Sequence, residues 1–103
     1  MTVNRTHIGH ETRYAVRDNG TLRCVLVFDG GEGGSGPAVW KILLPGPNGT
    51  EDLYGTRDLL RPDSSQLEDW LTPLVGPGAT AELAAAVKAD PPAAAARPHR
   101  PDR

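Results

Sequence analysis

A chain of 103 residues holds at most one small domain, and only five of its residues are aromatic, which leaves no volume for a deep cofactor pocket. One cysteine excludes an internal disulfide framework. Residues 1–90 carry eight Lys and Arg against twelve Asp and Glu (net −4), and residues 91–103 carry +2, which is not the concentrated positive charge of a strong nucleic-acid binder.

Residues 1–10 have no hydrophobic period and read as a flexible lead-in. No apolar leader or run of about 18 apolar residues is present, so the expectation is a soluble, cytoplasmic protein with no membrane partner. Residues 11–17 (ETRYAVR) are polar and β-prone. Asn19-Gly20 supplies the positive φ angles of a tight hairpin turn. Residues 22–28 (LRCVLVF) give the strongest strand signal, being rich in β-branched and bulky side chains. A glycine-rich loop, GGEGGSGP, leads to a third strand over residues 38–44 (AVWKILL). PGPNG ends that strand, and residues 50–56 (TEDLYGT) form a weaker fourth.

The period then changes. Ser65 with Glu68 three residues on reads as a capping box. Leu67, Trp70, Leu71 and Leu74 follow at the i, i+3, i+4, i+7 spacing of one helix face, with Pro73 as a stop or kink. After VGPGA, Thr80 can cap a second helix that Asp90-Pro91-Pro92 stops. Residues 91–103 offer little but Ala, Pro and Arg and are expected to be disordered. The predicted architecture is α+β: one domain over residues 11–90, an antiparallel meander of three to four strands followed by two helices packed on one face.

Several stretches imitate chemistry. GEGGSG (residues 31–36) is a literal G-x-G-x-x-G, but that pattern cradles a pyrophosphate only when it leaves a strand and opens a helix. Here Pro37 and a strand-like run come next, so a hairpin connection is the reading. HIGH (residues 7–10) spells a class I aminoacyl-tRNA synthetase signature, which works only inside a nucleotide-binding domain several times this length. His7, His10 and Glu11 are too few for a zinc site, and no metal or cofactor is expected. Cys24 falls mid-strand with Leu22, Leu26 and Phe28, which makes it an inert packing residue rather than a nucleophile. No nucleophile–base pair emerges, so no enzyme activity is expected.

Strand alternation divides the sheet. Tyr14, Val16, Leu22, Cys24, Leu26, Phe28, Trp40, Ile42 and Leu44 belong under the helices. Arg13, Arg17, Arg23, Val25, Val27, Val39, Lys41 and Leu43 fall on the other face. Aliphatics rimmed by cations suit a protein partner or a homodimer. They define the candidate site of a small protein-binding module, such as an adaptor, regulator or inhibitor. A basic sheet face binding nucleic acid is the alternative, with Arg13, Arg17, Arg23 and Lys41 as its contacts. The bland alternative is a solvated face whose cations are offset by Glu11 and Glu51. A small enzyme or ligand-binding domain is the last.

Overall fold

A computed structural model describes residues 1–30, 39–58 and 63–92. Five strands follow one another in the chain and in space: β1 (Thr2–Ile8), β2 (Glu11–Asp18), β3 (Thr21–Asp29), β4 (Val39–Pro45) and β5 (Glu51–Arg57), every neighbour antiparallel. One helical element, α1 (Ser64–Ala89), closes the fold. The α+β class is therefore as the alternation predicts, with one strand more and one helical element where two were expected.

The extra strand is the first correction. Residues 1–10 are no loose leader: β1 pairs with β2 along its whole length, from Thr2↔Arg17 to Ile8↔Glu11. Its alternation is hidden because its inward residues are Val3, Arg5 and His7, only one of which is apolar. The HIGH stretch is the β1–β2 hairpin turn. Gly9 sits at φ +62 in the first central position, where a II′ turn requires a positive φ. Asn19 (φ 52) and Gly20 (φ 79) make the β2–β3 turn as their identities require. Between β4 and β5 the chain passes through a 3-10 turn, Pro47–Gly49. Gly46 lies so close to the Asp52 carboxylate and the Thr50 hydroxyl that any Cβ would collide with them.

α1 is also arranged differently from expectation. Its capping box is formed by Asp63 and Gln66, not by Ser65 and Glu68. The Asp63 carboxylate accepts from the Gln66 amide at 2.8 Å, and the Gln66 side-chain carbonyl accepts from the Asp63 amide at 3.0 Å. Pro73 lies inside the helix and does not end it. The break comes at Gly76, whose φ of 90 and ψ of 161 are accessible essentially only to glycine. That break falls within VGPGA, yet Thr80 caps nothing. It is buried in the second half of α1, and its hydroxyl has no hydrogen-bond partner among the described residues.

Under α1 lie Tyr14, Val16, Cys24, Leu26, Phe28, Trp40 and Ile42, packed against Leu67, Trp70, Leu71, Ala79, Leu83 and Val87, with Val3 and Leu44 at the margin. Phe28 and Trp40 meet edge to face, ring centres 4.9 Å apart. Burying a side chain of this size contributes about 1.5–3 kcal/mol. Leu22 is absent from this core. A bulge between Val16 and Arg17 shifts the register, so that Leu22 pairs with Arg17 and passes to the other face.

The helix crosses the sheet from one edge to the other. At its start, Trp70 approaches Gly55 of β5, and the Arg57 guanidinium stacks over the Trp70 ring at 5.6 Å. At its end the Tyr14 hydroxyl donates to the Asp90 carbonyl at 2.7 Å. Arg5 of β1 donates to the Pro91 carbonyl at 2.7 Å, with its Nε 3.5 Å from the Asp90 carboxylate. A cation there also opposes the negative end of the helix dipole. Of residues 91–103, all predicted to be disordered, Pro91 is thus held by Arg5 and Pro92 is buried, and residues 93–103 lie outside the described residues.

Candidate functional site

The face away from α1 is ordered into rows by the strand register. One row reads Thr6, Arg13, Val27, Lys41, Thr56; the next reads Asn4, Ala15, Val25, Leu43, Leu53. On one side of these lies Ile8, Glu11, Asp29, Val39, and on the other Thr2, Arg17, Leu22. Six predicted site residues, Arg13, Val25, Val27, Val39, Lys41 and Leu43, thus fall together on adjacent rows. Arg17 stands one row further out, and Arg23 is the extra residue of the β3 bulge, exposed at its rim.

This face is less open than strand alternation implies. Val25 is 2% exposed and Val27 1%. An ion pair contributes to that cover: Arg13 on β2 contacts Glu51 on β5, both on this face. Three strand spacings separate β2 from β5, about 14 Å in a flat sheet. The contact therefore requires the sheet to twist strongly. The twist carries the Arg13–Glu51 diagonal toward the open side, while the diagonal from Arg57 to Arg5 wraps under the helix. The ion pair spans the row containing Val25 and Leu43. Val25 and Val27 are thus a second buried layer, and neither is available to a partner at the surface.

The cations are mostly engaged. Arg13 also reaches Glu11 at 3.8 Å, Lys41 Nζ stands 3.3 Å from the Asp29 carboxylate, and Arg23 stands 3.9 Å from Asp18. His10 Nε2 lies 3.5 Å from the other Asp29 oxygen. Of the four predicted cations, Arg17 alone has no ion-pair partner among the described residues. Glu11 and Glu51 do offset the face as their positions in the sequence suggest, and Asp29 does more than expected.

Two residues missed by sequence reasoning complete the rim. Leu53 is 58% exposed and Tyr54 59%, side by side on β5, which forms one edge of the sheet. Leu53 stands directly across from Leu43, and Tyr54 is the extra residue where the β4–β5 register slips between Ile42 and Leu43. A bulge of this kind leaves no sequence signal, and the polar TEDLYGT context masks the apolar pair.

The remaining candidates for chemistry fall away from this face. Cys24 is completely buried, and desolvation pushes its thiol up to about 11 against a weaker opposing pull from Arg23. His7 Nδ1 lies 2.9 Å from the Thr12 hydroxyl. Among the described residues no three His, Cys, Asp or Glu side chains are grouped to hold a metal, and no helix is long and apolar enough to cross a membrane. The G-x-G-x-x-G run lies outside the described residues. The strands on either side of it, β3 and β4, pair directly at Asp29↔Val39.

The chain is thus an α+β protein built as a five-stranded meander crossed by a single broken helix. No family model, curated protein or solved structure matches it.

Proposed function

We propose that this protein is a non-enzymatic binding module for a partner protein, acting as an adaptor, regulator or inhibitor through its sheet face. The observation that carries this reading is the exposed apolar pair Leu53 and Tyr54 at the rim, continuous with Leu43. A large aliphatic and an aromatic side by side on an edge strand, next to charged side chains, have the composition of an interface centre with a polar rim. The partner-facing residues are therefore Leu43, Leu53, Tyr54 and Val39, with Arg13, Lys41 and Glu51 around them. Val25 and Val27 support this surface from beneath. The nucleic-acid reading is weaker, because Arg13 and Lys41 would have to leave carboxylates before meeting phosphates.

Leu53→Glu combined with Tyr54→Ser tests the proposal. Both positions are exposed, so the melting temperature should stay close to that of the wild type. Capture of a partner from the cells that make this protein should weaken by about 2 kcal/mol, roughly thirtyfold. Equal capture by both baits would sink the sheet-face reading. Binding of mixed-sequence duplex DNA that perturbs Arg17 and Arg23 and fades steeply with salt would replace it with the nucleic-acid one.

A further inference from the structure

The two edges of the sheet are built differently. β5 carries a bulge at Tyr54, a device that spoils an edge for pairing with another strand. β1 has no such guard. Its seven residues pair with β2 in unbroken register, and it contains no proline. Its one charge, Arg5, is turned onto the end of α1. Among the described residues, no other segment hydrogen-bonds to the backbone of its outer edge. Ile8, 72% exposed, stands at its end. A regular, uncharged edge of this kind is a template for another strand.

We propose that β1 pairs antiparallel with β1 of a second copy, joining the two sheets about a two-fold axis at Arg5. Strand pairing must keep each residue on its own face, which admits only registers that place like-facing residues opposite one another. Among these, the register centred on Arg5 pairs all seven residues: Thr2 with Ile8, Val3 with His7 and Asn4 with Thr6 of the second copy. It also matches charge. Arg17 lies beside Thr2 and Glu11 beside Ile8. Across the joint the row therefore runs Arg17, Thr2, then Ile8 and Glu11 of the other copy, twice by symmetry. Arg17 and the second copy's Glu11 are three strands apart, the number that Arg13 and Glu51 already bridge within one chain. A register slipped by two residues one way sets Arg17 in the row of the other copy's Arg13 and leaves Ile8 overhanging, and one slipped the other way leaves Thr2 and Val3 without partners. The two Arg5 side chains meet at the axis, but each is held by its own Asp90 and Pro91.

This inference uses a different surface from the sheet-face proposal, and either can fail alone. The test is the solution mass of the full chain by light scattering over a range of protein concentrations, with circular dichroism to monitor folding. The wild type should approach twice the 11.0 kDa chain mass as concentration rises. Asn4→Lys with Thr6→Lys sets ammonium groups directly opposite each other on both sides of the axis, and should weaken dimerisation roughly tenfold. Asn4→Lys with Thr6→Glu sets opposite charges there and should restore or tighten it. A wild type that stays monomeric throughout overturns the proposal. So does a double-lysine variant that folds and dimerises as well as the wild type, or a charge-swapped variant that folds as a monomer.

Discussion

Cys24 illustrates how placement decides the chemistry of a side chain. In the unfolded chain its thiol ionises near pH 9, whereas desolvation in the sheet holds it protonated to about 11. The state that keeps the proton sets the sign. Below pH 9 both states are protonated and the stability is complete. Between about 9 and 11 the unfolded chain ionises while the folded one does not, so stability falls. Tyr14 acts in the same direction at higher pH, its hydroxyl raised above the ordinary value of 10 chiefly by burial. Chemical denaturation from pH 8 to 11 should register a loss of order 2 kcal/mol from the thiol. Cys24→Ala, though less stable at pH 8, should lose less across that window. An equal loss in both proteins would mean the thiol is solvated.

At the scale of elements, caps and breaks determine where α1 begins and bends. Asp63→Ala should cost about 1 kcal/mol, because the carboxylate satisfies a helix amide that is otherwise unpaired. Ser65→Ala should cost far less, being already inside the helix, and the two melting temperatures separate these outcomes. A Ser65 variant as damaging as the Asp63 one would restore the capping box to the position its sequence pattern suggests. The same stretch shows which signals survive in a sequence. Side-chain alternation in β2, β3 and β4 was legible, because Tyr14, Leu26 and Trp40 recur every second residue against charged or smaller neighbours. The bulges at Arg23 and Tyr54 were not, since one extra residue alters no composition. They moved Leu22 off the helix side and set Tyr54 out on the rim. β1 was illegible for another reason: its inward face holds Arg5 and His7, whose partners lie some 85 positions away or on the neighbouring strand. Alternation placed Arg13, Val25, Val27, Val39, Lys41 and Leu43 on the face away from α1, where the register has them, but not their depth, because Arg13 and Glu51 come together only through the twist.

Taken whole, the molecule is held at both ends. Removing residues 1–8 should strip away β1, expose the edge of β2 and orphan the Pro91 carbonyl and the Asp90 carboxylate. We expect cooperative thermal unfolding to be lost or lowered by more than about 10 °C. Removing residues 93–103 should leave the midpoint unchanged, and calorimetry on the two truncations checks both outcomes. A fall of several degrees in the second would mean that those residues pack.

The contact of Arg5 with Asp90 and Pro91 also bears on how the protein is made. During synthesis β1 leaves the ribosome well before the groups that fasten it, 86 positions ahead in the case of Pro91. Closing a loop that long costs only a little more than closing one of half the length, about 0.6 kcal/mol. The delay is the larger matter. Until the end of α1 emerges, the growing chain carries an edge strand and an uncovered apolar sheet, the form most prone to associate with its neighbours. Completion of the helix, which brings Asp90 and Pro91 to Arg5, closes that interval.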